Sequence, residues 1–437
     1  MSSTPGRIRD VPAGRTVRGV AAAPPSKSHA IRLLLAAALA DGISAVAALP
    51  DAGDVSAVRR ALEALGIRTE AHADALRVHG CAGRLPAVGD APVHVDLGGS
   101  GTGLRLLAAA CCLGRGPYVL DGDASLRARP EGGVVDVVAR LGCRAEAGSG
   151  RPPLRISGGP LGRLAGELAC PAVGTSSQPL SGLLLTAAAA GGDVTVRVPA
   201  RGASLGYVDL TLGVLARFGA AVDVTADAVR GDRVVRIRGD GLRACDERVE
   251  GDWSSGAYLL AAGAVAGGPV RVCGLHVGAR QPDVRVLQVL RAFGARCEVE
   301  GDAVVCRAGD ALTGITVDLG DAPDLAPLVG ALGCVATGTT RVTGAPHLRH
   351  KESDRIASVV AAARALGADA EERDDGFVVH GGGARGGLVD PRGDHRIALA
   401  FAVAGLALPG VRIADPECVA KSFPGFWDVL DTLLDPA

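Results

Sequence analysis

Several residue types are scarce in this chain of 437 residues, and each scarcity excludes a class of function. Aromatic residues make up 3% of the sequence, too few to stack nucleic-acid bases in number. The 46 basic residues nearly balance 47 acidic ones, whereas nucleic-acid binders carry a basic excess. No apolar run approaches the roughly 18 to 20 residues of a membrane span, and the polar start MSSTPGRIRDV does not resemble a signal peptide. We therefore expect a cytoplasmic protein that binds neither nucleic acid nor membrane.

The eleven cysteines include no C-x-x-C pair. Their odd number and their spread from Cys81 to Cys418 argue against a disulfide framework or a zinc site, and free cysteine commonly packs as a small apolar residue. The sequence therefore predicts reduced thiols, mostly in the core, and no metal site.

Lysine and asparagine are nearly missing from the polar residues. Asparagine is absent, and only Lys27, Lys351 and Lys421 are lysines among the 46 basic residues. Since arginine has replaced lysine almost everywhere else, the three lysines are candidates for roles that need a compact ammonium group rather than a planar guanidinium.

A repeat of about 73 residues organises the chain. Segments typical of amphipathic helices end in Leu-Gly or Phe-Gly, 73 to 77 residues apart, before β-rich stretches, and these glycines are Gly66, Gly142, Gly219, Gly294 and Gly367. Six almost wholly apolar helical segments, such as GLRLLAAACCLGRG, alternate with them and predict buried helices. Single units of this kind cannot bury their own faces, so six units favour two domains of three, divided near RACDERVEGD.

Small polar residues precede most of the buried helices, as in PPSKSHAIR, GGSGTGLR, GTSSQ and GDWSSGA. Helix N-termini bind anions, although ordinary capping is the favoured interpretation for any one of them. A second set of segments, the loops before the amphipathic helices, includes HLRHKESDRI. The segments before the buried helices and these loops together contain most of a group of basic residues, which we expect to lie on one face of the protein. Such a group predicts small, strongly anionic ligands, and its members are Lys27, Arg32, Arg105, Arg129, Lys351, Arg355, Arg396 and Lys421.

With these motifs the sequence resembles the 5-enolpyruvylshikimate-3-phosphate (EPSP) synthase family over essentially its whole length. The resemblance rests on SKSHAIR, SGTGLR, SLRARP, SSQ, SLGYVD, VEGDWSSGA, APD, HKESDR, GDHRIA and AKSFP, in the family's order and spacing. It implies an α/β, two-domain enolpyruvyltransferase fold of six βαβαββ units, three per domain, with buried helices whose N-termini face the interdomain cleft. The implied domains are residues 24–250 and residues 1–23 with 251–437.

The resemblance also implies the reaction. The enolpyruvyl group of phosphoenolpyruvate would pass to the 5-hydroxyl of shikimate 3-phosphate, through a tetrahedral intermediate that loses phosphate. This is a step of the shikimate pathway to chorismate and the aromatic amino acids, and a target of glyphosate. It implies no cofactor and no metal, small-molecule partners only, and a monomer.

The family's functional residues correspond to residues of this chain. Lys27, Asp324 and Glu352 resemble the catalytic set, the last two as the acid/base pair. The set that resembles the shikimate 3-phosphate site is Lys27, Ser28, Arg32, Ser176, Ser177, Gln178, Ser204, Tyr207, Asp324, His347 and Lys351. The set that resembles the phosphoenolpyruvate site is Lys27, Gly101, Thr102, Arg129, Gln178, Arg355, Arg396 and Lys421.

The chain departs from the family pattern at three positions. Pro25 replaces the usual glycine before Ser-Lys-Ser, while Gly99 and His347 replace asparagines expected to contact ligands. The imidazole of His347 is able to donate or accept a hydrogen bond in place of the amide, whereas Gly99 offers no side chain.

Two other functions fit parts of the sequence. The UDP-N-acetylglucosamine enolpyruvyltransferases share the architecture, but they carry Lys-Asn where Lys27 and Ser28 stand and a cysteine in a loop that reads DGDASLRARP here. A non-catalytic anion-binding relative is the second alternative, although binding alone would not need the Asp324 and Glu352 pair.

Overall fold

The computed structural model describes residues 7–87, 89, 91–159, 161–228 and 230–435. The extreme ends of the predicted domains, residues 1–6 and 436–437, lie outside them. The chain divides into two compact units, a central unit (Pro25–Val249) and a split unit (Met1–Pro24 with Glu250–Ala437). Among the described residues, no helix combines the length and apolar character that crossing a bilayer requires.

Helices and strands alternate along both units. The helices are α1 (Lys27–Leu39), α2 (Gly53–Ala64), α3 (Gly101–Ala110), α4 (Ala124–Arg127), α5 (Gly132–Arg140), α6 (Gln178–Ala190), α7 (Gly206–Arg217), α8 (Trp253–Ala266), α9 (Val286–Phe293), α10 (Ala326–Val335), α11 (Arg355–Ala365), α12 (His395–Gly405) and α13 (Phe426–Leu433). The strands are β1 (Ile8–Asp10), β2 (Gly19–Ala22), β3 (Ile43–Ala47), β4 (Thr69–His72), β5 (Ala75–His79), β6 (Val93–Asp96), β7 (Tyr118–Asp121), β8 (Arg144–Ala147), β9 (Leu154–Ser157), β10 (Leu164–Leu168), β11 (Gly192–Val198), β12 (Ala221–Ala226), β13 (Arg233–Gly239), β14 (Glu247–Arg248), β15 (Val270–Cys273), β16 (Arg296–Glu300), β17 (Ala303–Arg307), β18 (Thr316–Asp318), β19 (Thr339–Thr343), β20 (Asp369–Arg373), β21 (Gly376–His380), β22 (Gly387–Val389) and β23 (Val411–Ala414).

The predicted repeat is confirmed by the sheets of the central unit. In the repeat β6-α3-β7-α5-β8-β9, β6 and β7 are parallel, and β9 pairs antiparallel with both β7 and β8. The strands β10 to β13 form a sheet with the same order. In the remaining sheet, β14-β3-β5-β4, the parallel first strand β14 comes from the end of the unit.

The split unit repeats the pattern with strands from the start of the chain. The sheet β18-β19-β21-β20 is built from consecutive strands, whereas β2 supplies the parallel partner of β15 in β16-β17-β15-β2. The last sheet has three strands, β1-β23-β22, in which β1 pairs antiparallel with β23. The amino-terminal segment therefore contributes β2 to the sheet β16-β17-β15-β2 and β1 to the sheet β1-β23-β22.

The glycines that mark the repeat end the amphipathic helices, as predicted. Gly66, Gly142, Gly219, Gly294 and Gly367 have positive φ angles of 82°, 73°, 86°, 105° and 84°. Glycine adopts this left-handed conformation without steric cost, so each helix ends there and the chain turns into a strand.

The second helix series is buried, which also agrees with the prediction. In α8, every residue from Trp253 to Ala264 is buried, and α1, α3, α6, α10 and α12 are buried over most of their length. Each unit has its own hydrophobic core around these helices. In the central unit, a Cβ on Gly182 of α6 would lie 2.9 Å from the carbonyl oxygen of Arg105, so the missing side chain allows α3 and α6 to pack closely.

The prediction that all cysteines are reduced is wrong for one pair. Cys297 and Cys306 form a disulfide between β16 and β17, where they are directly opposite each other with Cα atoms 4.2 Å apart. C-x-x-C spacing does not reveal this cross-strand pair, although Gly301 and Asp302 lie at the turn between the two strands. The nine other cysteines are free, and Cys111, Cys112 and Cys334 are fully buried. The described residues contain no group of three or more metal-ligating side chains that would hold a metal ion.

Candidate active site

The N-termini of the buried helices confirm capping at several positions. The side chains of Ser26, Ser100, Asp252 and Asp394 accept hydrogen bonds from backbone N–H groups in the first turns of α1, α3, α8 and α12. Ser177, which precedes α6, does not cap it. Instead its hydroxyl donates to the carbonyl oxygen of Ser204 at 2.7 Å. The start of α6 is thereby tied to the loop before α7.

Lys27 opens α1 and is held by a carboxylate that the sequence analysis missed. Its Nζ lies 2.9 Å from Oδ2 of Asp54, in the first turn of α2, and the two side chains are 13% and 8% exposed. An acidic residue in the first turn of a helix is ordinary, so no sequence pattern indicates that Asp54 pairs with Lys27.

Arg32 lies one turn further along α1 and is almost fully buried. Its Nε donates to Thr211 at 2.8 Å, its Nη1 donates to the carbonyl oxygen of Ser28 at 2.9 Å, and its guanidinium carbon is 5.9 Å from the centre of the Tyr207 ring. Burial disfavours the charged form and lowers the pKa of Arg32 to about 10, so the group still carries its charge at neutral pH. The structure thus brings together three of the residues predicted to bind shikimate 3-phosphate.

The helix that begins at the SSQ motif, α6, is linked to this arginine through Thr211. Thr211, which accepts from Arg32, is also 2.9 Å from the hydroxyl of Ser181 in α6. Ser176 accepts from the backbone N–H of Gln178 at 3.1 Å, and Ser204 has an unusual positive φ of 59° for a residue with a side chain. Such conformations recur at ligand sites, where the surrounding structure enforces them. The central unit therefore gathers hydroxyl groups and one buried cation at the start of α6.

The start of α3 forms a second part of this cluster. Gln178 donates through Nε2 to the Thr102 hydroxyl at 2.9 Å, and a Cβ on Gly101 would lie 2.8 Å from Nη1 of Arg129. Arg129 is 8% exposed, and its Nη2 donates to Ser125 at 3.2 Å. The structure thus makes neighbours of four residues predicted for the phosphoenolpyruvate site, Gly101, Thr102, Arg129 and Gln178.

The structure corrects the placing of Arg105 among the anion-binding cations. Its Nε and Nη2 donate to the two carboxylate oxygens of Glu131 at 2.8 and 2.7 Å, and its Nη1 donates to Gln178 at 2.7 Å. A bidentate pair of this kind neutralises the guanidinium. Glu131 is 26 residues away in the chain, so no local pattern indicated the pairing.

In the split unit, one buried arginine bridges three carboxylates. Arg355 is 1% exposed and donates through Nη1 to Asp324, through Nη2 to Glu352 and through Nε to Asp394, at 2.7, 2.7 and 2.8 Å. Burial opposes the charged form, but the three carboxylates outweigh it and raise the pKa of Arg355. The predicted acid/base pair, Asp324 and Glu352, is therefore fixed on a single guanidinium.

A second arginine completes the surroundings of Asp324. Nη2 of Arg396, in the first turn of α12, donates to its other carboxylate oxygen at 2.7 Å. Burial acts to raise the pKa of Asp324, but Arg396, Arg355 and Lys351 prevail and hold it well below its usual range. Asp324 is accordingly a carboxylate at neutral pH, able to accept hydrogen bonds but not to donate one.

Asp394 was missed as a member of this group, although it lies in the quoted motif GDHRIA. It is fully buried, caps α12 through the backbone N–H of Arg396 at 3.0 Å, and accepts from Ser353 at 3.1 Å besides Arg355. Its side chain joins the start of α12 to the loop before α11, which fixes both cations of the cluster.

The two remaining lysines lie at the ends of short 3-10 turns of the split unit. Lys351 follows the 3-10 turn Pro346–His350 and acts on the pKa of Asp324, while Lys421 ends the turn Pro416–Lys421. His347 is 3% exposed, and burial together with Lys351 lowers its pKa to about 3. The imidazole that replaces the usual amide is therefore neutral at physiological pH, as a substitute for an amide must be.

Comparisons with known proteins agree with these features. The family model for EPSP synthase (3-phosphoshikimate 1-carboxyvinyltransferase) matches residues 11–430. A 3-phosphoshikimate 1-carboxyvinyltransferase of Methanoculleus marisnigri is 42% identical over 93% of this chain and 95% of its own. One of Halobacterium salinarum is 41% identical over 95% and 96%.

Solved structures give the same result for the fold. EPSP synthase from Acinetobacter baumannii superimposes with a TM-score of 0.78 at 28% identity, covering 98% of both chains. The enolpyruvyl transferase NikO from Streptomyces tendae reaches a TM-score of 0.75 at 20% identity, covering 99% of this chain and 98% of its own. The six repeated units therefore define a two-domain enolpyruvyltransferase fold, as the sequence predicted. Within that class, the chain belongs to the EPSP synthase family.

Proposed function

We propose that this protein transfers the enolpyruvyl group of phosphoenolpyruvate to the 5-hydroxyl of shikimate 3-phosphate and releases phosphate. The observation that carries the proposal is the pair of carboxylates, Asp324 and Glu352, held by one buried arginine beside a second arginine. Both curated relatives described above carry the name of this activity. The proposal places the protein in the shikimate pathway of aromatic amino-acid biosynthesis, as a cytoplasmic monomer whose two units are its domains.

The reaction makes two demands on the protein. The 5-hydroxyl oxygen bonds to C2 of the enol while C3 gains a proton, and the tetrahedral intermediate then loses phosphate as C3 returns a proton. The protein must therefore supply a proton acceptor, a proton donor and cations that neutralise the carboxylate and phosphate groups.

In the split unit, Asp324 is ionised and is the proposed acceptor of the proton of the 5-hydroxyl. Glu352 is the proposed group that exchanges a proton with C3. Arg355 donates hydrogen bonds to both carboxylates, so a change in the charge of one alters the electrostatic surroundings of the other. We assign Arg355, Arg396 and Lys421 to phosphoenolpyruvate, and His347 and Lys351 to shikimate 3-phosphate.

In the central unit, Arg32 and the hydroxyls of Ser176, Ser177 and Ser204 suit the phosphate of shikimate 3-phosphate, with Ser28 and Tyr207 beside them. Phosphate accepts several hydrogen bonds at once, and a buried guanidinium binds it without a large loss of entropy. Thr102, Arg129 and Gln178 are the proposed contacts of phosphoenolpyruvate, and Lys27 serves both substrates.

A phosphate-release assay with purified protein tests this assignment. Phosphoenolpyruvate is supplied with shikimate 3-phosphate, with UDP-N-acetylglucosamine, or with no acceptor. Of the three reactions, we expect only the one that contains shikimate 3-phosphate to release phosphate. Release with the sugar nucleotide would favour the other enolpyruvyltransferase activity, and binding of both substrates without release would favour a non-catalytic protein.

Gly101 gives a specific prediction for the phosphoenolpyruvate site. An alanine methyl group would lie 2.8 Å from Nη1 of Arg129, so the guanidinium must shift. We expect Gly101→Ala to raise the KM for phosphoenolpyruvate and the inhibition constant of glyphosate by about fivefold or more, the order expected for overpacking by one methyl group. The affinity for shikimate 3-phosphate should change less.

The matched control is Gly132→Ala at the start of α5. A Cβ there would meet nothing within 4 Å, so all constants should stay at the parent values. Equal inhibition of the Gly101→Ala variant and the parent would show that the inhibitor does not lie against this residue.

A further inference from the structure

Four side chains of the central unit are linked by hydrogen bonds that start at Arg105 and run to Glu131 on one side and, through Gln178, to Thr102 on the other. Arg105 donates twice to Glu131 and once to Oε1 of Gln178, and Gln178 donates through Nε2 to the hydroxyl of Thr102. The donor–acceptor distances lie between 2.7 and 2.9 Å. We call Glu131, Arg105, Gln178 and Thr102 the donor chain.

The guanidinium decides which way the amide of Gln178 faces. Arginine has five N–H donors and no acceptor, so only the oxygen of the amide is able to face it. The Nε2 group of Gln178 must then point to Thr102. Without Arg105, no charged donor would select the oxygen of the amide, and the amide could turn its oxygen towards Thr102.

Thr102 continues this direction. Its hydroxyl has one hydrogen to donate, and its oxygen already accepts from Gln178. The hydrogen is therefore left to donate beyond the chain. Thr102 is the second residue of α3, whose N-terminus also favours anions. Each bond in such a chain polarises the next, which strengthens the last donor.

Glu131 sets the charge at the other end. It is 1% exposed, and both of its oxygens are taken by Arg105. The pair has no net charge, so Arg105 does not compete with Arg129 for an anion, and its guanidinium stays against Gln178 instead of turning towards a ligand. Glu131 lies just before α5 and makes no capping hydrogen bond there, so helix capping does not account for it.

We infer that Glu131 is a positioning residue, which acts through Arg105 and Gln178 to fix Thr102 as a hydrogen-bond donor to an oxygen of phosphoenolpyruvate. The inference rests on the proposed function and adds a residue outside the predicted site. It assigns the buried ion pair to recognition of the anionic substrate rather than to fold stability alone.

Glu131→Gln tests this role in the full-length protein. The substitution keeps the side-chain shape but removes the negative charge and one of the two oxygens that accept hydrogen bonds from Arg105. The guanidinium of Arg105 is then no longer held by a bidentate ion pair. We expect the KM for phosphoenolpyruvate to rise by about tenfold or more, as for loss of a charge-assisted hydrogen bond, while shikimate 3-phosphate binding changes less than about threefold. The matched control is Asp121→Asn, which breaks another bidentate pair, with Arg127, on the exposed surface.

A double-mutant cycle with Thr102→Val separates positioning from a general loss of structure. If Glu131 acts through the donor chain, Glu131→Gln should raise KM by less than about twofold in the Thr102→Val background, since the last donor is already missing. Equal effects in both backgrounds would overturn the inference. If Glu131→Gln does not fold, the paired variant Arg105→Met with Glu131→Met removes both buried charges, and it should show the same rise in KM.

The result is distinguishable from failure of the proposed function. If the parent protein and Asp121→Asn release no phosphate with shikimate 3-phosphate, the proposed function is wrong. If both are active and Glu131→Gln has the parent KM for phosphoenolpyruvate, the proposed function stands and the role of Glu131 is refuted.

Discussion

Replacing Lys27 by arginine is expected to lower kcat/KM by roughly 150-fold or more, although the formal charge is unchanged. This factor corresponds to a loss of at least about 3 kcal/mol of transition-state stabilisation. Nζ of Lys27 lies 2.9 Å from Asp54 in a place where its side chain is only 13% exposed. A guanidinium is larger and planar, and it would bind the Asp54 carboxylate in a bidentate manner. It would then be held away from the substrates, whereas the ammonium retains rotating donors that follow an oxygen as its charge changes.

The control for Lys27→Arg is Arg59→Lys, the reverse exchange on the exposed side of α2. Arg59 is half exposed and pairs with Glu63 one turn away, so the Arg59→Lys variant should have the kcat/KM of the parent protein. Lys421→Arg should act mainly on the KM for phosphoenolpyruvate and Lys351→Arg mainly on that for shikimate 3-phosphate. If all three lysine-to-arginine variants stayed within twofold of the parent, the lysines would be retained by chance.

The second large effect is expected at the acid/base pair. Asp324→Asn and Glu352→Gln should each lower kcat by roughly a hundredfold or more, in the range for loss of a general acid or base. An amide cannot take up the proton of the 5-hydroxyl. Its NH2 group also cannot accept the hydrogen bond that Arg355 or Arg396 donates to a carboxylate oxygen in the parent protein. Binding of shikimate 3-phosphate, measured by calorimetry, should change much less than turnover.

Glu372→Gln is the control for this pair. Glu372 also accepts from an arginine, Arg349, at 2.9 Å, but it lies on the surface of the split unit. Turnover should be unaffected because exposed ion pairs contribute little. Near-normal turnover of Asp324→Asn or Glu352→Gln would refute the acid/base role of that residue.

Short-range patterns predicted the fold because the forces that produce them are local. A glycine that ends a helix must itself adopt the left-handed conformation, so Gly66 and its four equivalents were recognisable from spacing alone. Complete burial of the apolar helices followed in the same way from their composition. The disulfide between Cys297 and Cys306 was missed because it depends on the register of two strands.

The family motifs identified the ligand-facing residues but not their supporting partners. Asp54, Glu131 and Asp394 hold Lys27, Arg105 and Arg355, yet none of the three pairings connects residues within one helix or turn. Charge type alone therefore placed Arg105 among the anion-binding residues. Only the tertiary structure shows that it is neutralised and faces Gln178.

Isotope labelling of the bridging oxygen of phosphoenolpyruvate distinguishes enolpyruvyl transfer from phosphate hydrolysis. In the proposed addition and elimination, the bond between C2 and this oxygen breaks, so substrate labelled there with ¹⁸O should yield labelled inorganic phosphate. The organic product should be shikimate 3-phosphate with an unlabelled enolpyruvyl ether, as read by mass spectrometry. Unlabelled phosphate together with labelled pyruvate would mean that the phosphorus–oxygen bond is cleaved, and this would contradict enolpyruvyl transfer by this protein.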